Sequence, residues 1–428
     1  MKKRTYRKIS IKSVSVEQVL QKLGERRRLV LAVDVAKTDM VAALWDPGAE
    51  REHRALFTLC WKQPQEQAAV ERLLVGLQRR AVVIEAAMES SGTYGDALRA
   101  MLLELGIEVY RVSTHRSHRA AEVYDGVPSV HDAKSAHIVG QLHQDGLSHR
   151  WPMPSEQERT LSCAVAMMDL YKGERQREIN RLEAMLSRHW PELLTLMELG
   201  TATQLGLLSE VGGAAQVAQK PEFALQVLER KSQGKLKPHV AQAVLASARS
   251  TVGIAPIAAE LEMLRSLAAK ALTTLASLQR AVRKLRALSK RDAQARAMAT
   301  TVGVATAAVL VHDIGSPEQF PSARAYLKAA GLNLREKSSG KYQGQLKLTK
   351  RGPSRARRYL WLAVLRLLQS DPIVRAYYAQ KVARSGGRKS KAVVAVMRKL
   401  AKGLHACARN GTPFDSSKLF DISQLALS

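Results

Sequence analysis

The chain has 428 residues, with 67 Lys and Arg against 38 Asp and Glu, a formal charge of +29 at pH 7 and a pI near 10.3. That length allows two or three domains with cores of their own, and a hydrophobic content of 46% excludes a disordered tail protein. The charge asks for a polyanionic partner, nucleic acid first and an acidic membrane surface as its competitor; without an apolar run of roughly 18 residues, or an apolar stretch behind Met1-Lys2-Lys3-Arg4, neither a membrane span nor a signal peptide is expected, and a cytoplasmic bacterial protein is.

Residues 1–27 form a basic, partly amphipathic lead-in, in which Lys2, Lys3, Arg4, Arg7 and Lys8 suit phosphate contact. Leu29 to Val35 reads as a buried strand that brings Asp34 to its end. Strands are expected at 40–45 and 55–60, then a helix over 65–78. A fourth strand starts at Ala81 and runs towards Glu89; a helix over 94–105 is broken by Gly106, and a fifth strand covers 108–112. A helix is expected from Asp132 to His143. This order is that of an α/β RNase H-like (RuvC-like) domain over 28–150.

From 151 to 290 the pattern is almost wholly helical. Leu261, Leu264, Ala268, Ala271, Leu275, Leu278, Val282 and Leu285 keep a 3-4-3-4 spacing, as a coiled-coil seam requires. The seam suits a long helix packed in its own domain, an antiparallel intrachain pair or a dimer. Residues 291–428 form a basic, mainly α domain. Val302-Gly303-Val304 before an apolar helix resembles a helix-hairpin-helix turn, whose backbone N–H groups can hold phosphate, or is a plain tight turn. Between Arg335 and Arg409 there are 20 Lys and Arg against two acids. Three widely spaced cysteines argue against disulfides and a zinc site.

Two sets of residues carry chemistry. Asp34 and Glu89 end strands that neighbour each other in an RNase H-like sheet, and Asp132 starts a helix able to pack beside them. Hard oxygen ligands from separate elements suit Mg²⁺ or Mn²⁺, and two such ions roughly 3.5–4 Å apart stabilise both oxygens of a phosphoryl displacement. The second set lies in the basic domain: Ser338-Ser339-Gly340, a hydroxyl pair otherwise read as a polar turn, flanked by Arg335, Lys341, Lys350, Arg351, Arg355, Arg357 and Arg358 as phosphate-holding candidates.

Ala32-Val33-Asp34-Val35-Ala36-Lys37, Met88-Glu89-Ser90-Ser91-Gly92-Thr93-Tyr94, Asp132-Ala133-Lys134-Ser135-Ala136, Gly303 to Ala308, Ala330-Gly331-Leu332, Ser338-Ser339-Gly340 and Lys350-Arg351-Gly352 follow one another in an order that resembles the bridge-RNA-guided insertion-sequence transposases. Those enzymes have an N-terminal RuvC-like DEDD domain and a C-terminal serine domain, and Piv-type DNA invertases are their relatives. The resemblance implies that Asp34, Glu89 and Asp132 act with Mg²⁺, and that Ser339 attacks a DNA phosphate and becomes joined to it before strands are exchanged. It also implies a structured guide RNA with donor and target DNA. The α-helical heptad seam predicts a homo-oligomer, at least a dimer, and strand exchange between two duplexes suits a tetramer on nucleic acid. One position departs from the family pattern: Ser135 stands where a second helical aspartate is expected. Either a second ion binds weakly there or another group replaces the acid, Asp125 being a candidate. The competing functions are a RuvC-like nuclease that uses water, and a non-catalytic nucleic-acid-binding protein.

Overall fold

Alternation of side chains builds the N-terminal half. In strand β2 (Arg28–Asp34), Leu29, Leu31 and Val33 face one core while Val30 and Ala32 face another. In β3 (Asp39–Trp45), Met40, Ala42 and Leu44 join the first core, and Val41, Ala43 and Trp45 the second. A sheet buried on both faces needs helices on both. The computed structural model describes residues 6–50, 53–90, 92–336 and 346–420 and shows two compact units, Met1–Ser155 and Glu156–Ser428.

Unit 1 is mixed α/β. Its sheet also contains β1 (Lys8–Ser10), β4 (Ala55–Lys62), β5 (Val83–Glu89), β6 (Glu108–Val112) and β7 (His149–Arg150), in the order β1-β4-β3-β2-β5-β6-β7. β2, β3 and β4 form an antiparallel meander, whereas β5 and β6 run parallel to β2. One face is covered by α1 (Val16–Leu23), α2 (Gln67–Gln78) and α3 (Asp96–Glu104). α4 (Thr114–Asp125) and α5 (Asp132–Gln144) cover the other. The lead-in is built into this unit: β1 pairs in parallel with β4, and Ile11, Val14, Val19 and Leu23 enter the first core. α5 approaches the sheet through small residues. A Cβ on Gly140 would stand 3.0 Å from the Trp45 ring and 3.2 Å from the Ala32 Cβ.

Among its described residues, unit 2 is helical apart from one hairpin. α6 (Glu156–His189) is followed by five helices, α7 (Leu193–Leu196), α8 (Ala202–Glu210), α9 (Ala214–Gln219), α10 (Pro221–Ser232) and α11 (Pro238–Arg249), and then by α12 (Ala258–Ser289). α6 and α12 lie antiparallel. Arg188 meets Glu260 near one end, and the buried Glu178 accepts from Thr274 Oγ1 at 3.1 Å midway. Ala164, Val165 and Met168 share a core with Ala281 and Leu285 at the other end. Leu264, Ala268, Ala271 and Leu285 of the heptad seam are therefore buried inside their own chain. The seam packs inside its own domain, against the short helices over its first half and against α6 over its second. With those positions covered, the seam no longer argues for a dimer.

Beyond α12, α13 (Ala293–Val302) and α14 (Val304–Ile314) are joined by Gly303 alone, at φ 77°. α15 (Ala323–Ala329) leads to a hairpin of β8 (Leu334–Arg335) and β9 (Lys347–Leu348). Then come α16 (Ser354–Ser370), α17 (Pro372–Arg384), α18 (Lys389–Asn410) and α19 (Ser416–Leu419). Helices α13 to α18 share one core containing Leu310, Tyr326, Leu360, Val396 and Leu400. No helix among the described residues is long and apolar enough to cross a membrane. All three cysteines are free.

Candidate active site

The parity that builds the sheet also places the acids of unit 1. Asp34 continues the Val30–Ala32 face of β2, and Glu89 continues the Ala87 face of β5; both faces look towards α4 and α5. Val33 pairs with Met88, so the residues that follow, Asp34 and Glu89, are neighbours across a parallel ladder. Asp132 opens α5 above that same face. Their nearness is felt electrostatically. Burial, then Glu89 and then Asp132 push the Asp34 carboxyl up to about 7, with Lys8 opposing. Asp132 behaves oppositely. The Lys8 ammonium lies 2.6 Å from its Oδ2 and holds it below the usual carboxylate range.

Asp132 is positioned by a pinned loop. Lys134, 1% exposed, points back beneath it and donates to the carbonyls of Val127 (2.5 Å) and Ser129 (2.9 Å) while pairing with Asp125 at 2.7 Å. Asp125 also accepts from Tyr6 Oη at 2.7 Å and from the Val127 backbone at 3.1 Å. It is thus engaged with Lys134 and Tyr6. Ser135 is buried at the expected place on α5. Lys134→Met would leave Asp125 and two carbonyls without their cation. Breaking a buried pair costs about 3–5 kcal/mol, and the partial exposure of Asp125 favours the lower end. A loss of about 3 kcal/mol is expected in urea unfolding; an unchanged midpoint would show that Lys134 does not pin the loop.

The donor set fits a divalent cation: three hard carboxylates, two on strand ends and one on a helix start, repel one another in a partly buried pocket. Among the described residues no three His, Cys, Asp or Glu side chains converge tightly enough to hold an ion in their present positions. Asp132 is instead engaged by Lys8.

In unit 2 the motifs serve tight packing. Gly331 (φ 70°) and Gly352 bring the base of the hairpin together; a Cβ on Gly352 would lie 2.3 Å from the Ala329 carbonyl oxygen and 2.6 Å from Gly331 N. Arg357 Nη1 donates to the Gly352 carbonyl at 2.7 Å, and Arg398 Nε to that of Leu332 at 3.0 Å. Arg355 grips Asp313 with Nε at 3.0 Å and also with Nη2, and reaches Asp169 at 3.5 Å. Arg358 pairs with Asp169 at 3.0 Å. Arg355, Arg357 and Arg358 are therefore engaged within the unit, whereas Arg335, Lys350 and Arg351 are exposed around the hairpin. Lys350 adopts a left-handed φ of 54°, unusual for a residue with a side chain. Ser338, Ser339, Gly340 and Lys341 lie outside the described residues, between the two strands of the hairpin.

Sequence reasoning misplaced one residue and missed two groups. Lys8, expected to touch phosphate, lies on Asp132 instead, and Tyr6 beside it sits in a segment too short to show a strand pattern. Lys134 was legible only as part of a motif. Asp169 and Asp313 carry no local signal for the arginines they hold.

A DEDD-type transposase model associated with IS110 matches residues 31–191, and a second, described as Transposase IS116/IS110/IS902 family, matches residues 298–379. The first span contains Asp34, Glu89 and Asp132; the second contains the hairpin and α16. The chain belongs to the IS110 family of transposases. This transposase is 23% identical over 362 residues to the "Insertion element IS110 uncharacterized 43.6 kDa protein" of Streptomyces coelicolor, across 83% of this chain and 88% of that protein. Residues 192–297 of the transposase, the α7–α12 region, lie between the two matched spans.

Proposed function

We propose that this IS110-family transposase is an RNA-guided DNA recombinase with a two-part site. Asp34, Glu89 and Asp132, on an RNase H-like sheet (28–150), hold Mg²⁺ or Mn²⁺, and Ser339 of the basic terminal domain (291–428) is the nucleophile. The observation that carries this is the acid cluster itself. A carboxyl pushed up to about 7 by burial and two neighbouring acids is costly as a structural feature and useful as a cation pocket. The strand order, with a meander followed by two parallel strands, supports the RNase H-like reading.

When bound, the cation would polarise the scissile phosphate and favour an ionised serine oxygen. Attack by Ser339 Oγ forms an Oγ–P ester and breaks the P–O bond to one deoxyribose, whose oxygen leaves and takes up a proton while the serine hydroxyl loses one. The ester keeps the bond energy for resealing to another strand. Arg335, Lys341, Lys350 and Arg351 hold the flanking phosphates; Arg357 braces the hairpin base, while Arg355 and Arg358 tie α16 to Asp313 and Asp169. Base pairing by a guide RNA removes any need for the protein to read bases, and the charge of +29 suits several phosphate backbones at once. A homo-oligomer supplies the several serines that strand exchange needs.

The test is a denaturing gel of the transposase incubated with its element-end DNA and flanking transcripts. A protein–DNA adduct is expected, absent in Ser339→Ala and after ribonuclease treatment. Strand breaks with no adduct in the wild type would indicate the water-using nuclease; no metal-dependent breaks at all would indicate a non-catalytic binder.

A further inference from the structure

Lys8 stands out because it comes from outside the matched span yet reaches the acid cluster. Its position is built. Residues 6 and 8 lie on one side of an extended segment. Tyr6 is fixed by its hydroxyl on Asp125, and its ring meets His131 edge-on at 4.7 Å and His137 at 5.3 Å. On the far side Lys8 to Ser10 are locked in register with Thr58 to Cys60, and Ile11 is buried. The strand is thus held on both flanks of the lysine, whose ammonium lands 2.6 Å from Asp132. A half-exposed lysine–carboxylate pair would otherwise contribute little and wander. One helical turn along from Asp132 stands Ser135, neutral and buried, so α5 brings one carboxylate to the cluster and not two.

We infer that Lys8 is the resident cation of the acid cluster, taking up through Asp132 the charge that a second metal ion would balance, so that Asp34, Glu89 and Asp132 work with one divalent ion. This rests on the metal-site reading above. Lys8 is then a positioning residue. It sets where Asp132 points and how much negative charge the pocket presents, and its ammonium compensates a three-acid site as two ions would a four-acid one. With Ser135 neutral the pocket holds three acids, and the single charge of Lys8 matches what one divalent ion leaves over.

The test titrates Mn²⁺ into purified full-length protein and follows free Mn²⁺ by electron paramagnetic resonance. Wild type is expected to take up one ion per chain. Lys8→Gln should bind that ion about tenfold more tightly, because a competing charge is gone, yet cleave DNA at least about tenfold more slowly, with an unchanged melting temperature. Lys8→Arg should restore cleavage. Ser135→Asp should still bind one ion, and Ser135→Asp with Lys8→Gln two. Unchanged or weaker Mn²⁺ binding by folded Lys8→Gln, faster cleavage in that variant, or two ions in wild type or in Ser135→Asp alone would overturn the proposal. Should Lys8→Gln not fold, the Ser135→Asp stoichiometry decides. No Mn²⁺ uptake by wild type would overturn the metal-site reading as well, whereas uptake indifferent to Lys8 overturns only the role of Lys8.

Discussion

Asp34→Asn is expected to abolish DNA cleavage and, in the absence of metal, to raise the melting temperature at pH 8. The first effect follows from removing a cation ligand. Metal stabilisation of a phosphoryl transition state amounts to several kcal/mol, so cleavage should fall by about 10³-fold or more. The second follows from linkage. The folded carboxyl of Asp34 sits at about 7, above its ordinary value of 3.8. The folded state therefore binds a proton more readily than the unfolded state, and stability declines as pH rises from about 4 towards 7, the penalty being complete above that. A neutral amide escapes the penalty. The gain should thus be largest at pH 8 and vanish near pH 4, where wild type is protonated in both states. Added Mn²⁺ should reverse the ranking, raising the melting temperature of wild type and leaving Asp34→Asn unmoved. Thermal scans at pH 4, 6 and 8 with and without Mn²⁺, alongside the cleavage assay, measure all of this. A variant that cleaves normally, or that melts lower than wild type at pH 8 without metal, would remove the acid cluster from the mechanism.

Gly352→Ala is expected to disable the transposase through the fold of the terminal domain, not through charge. The added methyl would meet backbone on three sides: the Ala329 oxygen at 2.3 Å, Gly331 N at 2.6 Å and Ala330 C at 2.7 Å. Backbone cannot rotate aside as the end of a lysine can, so the hairpin base must open. Overpacking of this kind costs about 1–3 kcal/mol, and opening also breaks the Arg357 bond to the Gly352 carbonyl. Both the melting temperature and cleavage should drop. The neighbouring Lys350→Ala separates charge from fold. It should leave stability in place, since alanine keeps the Cβ and with it the same left-handed cost, and weaken DNA binding with a salt slope shallower by about one. Gly352→Ala protein that melts and cleaves like wild type would show that the two glycines do not set the hairpin.

Much of the N-terminal unit was legible because its signals are local and repetitive. Strands β2 to β6 and helices α2, α3 and α5 announce themselves by alternation or by 3.6-residue spacing, and Asp34 and Glu89 sit where those patterns stop. α4 escaped because only Ser117 and Ala121 of its twelve residues are buried; a helix with so narrow an apolar stripe has no periodic signature. β1 escaped because three residues cannot display a period. The motifs of the terminal domain were visible as strings but silent about purpose. Nothing near Arg355 says that its carboxylates lie at Asp313 and Asp169, 42 and more than 180 residues away along the chain.

By itself the chain determined its charge, its two chemical neighbourhoods, the strand order that puts Asp34 beside Glu89, and the α12 heptads. Each is a property of spacing or of residue type, and spacing survives in one dimension. Tertiary structure alone decided what each group faces: that the seam of α12 is covered by α6 and the short helices between them, that Asp125 belongs to Lys134 and Tyr6, that Arg357 braces the hairpin while Arg355 and Arg358 hold Asp313 and Asp169, and that Lys8 lies on Asp132. Side-chain partners are chosen by proximity in the folded chain, and sequence distance carries no information about that proximity until packing has closed the loops between them.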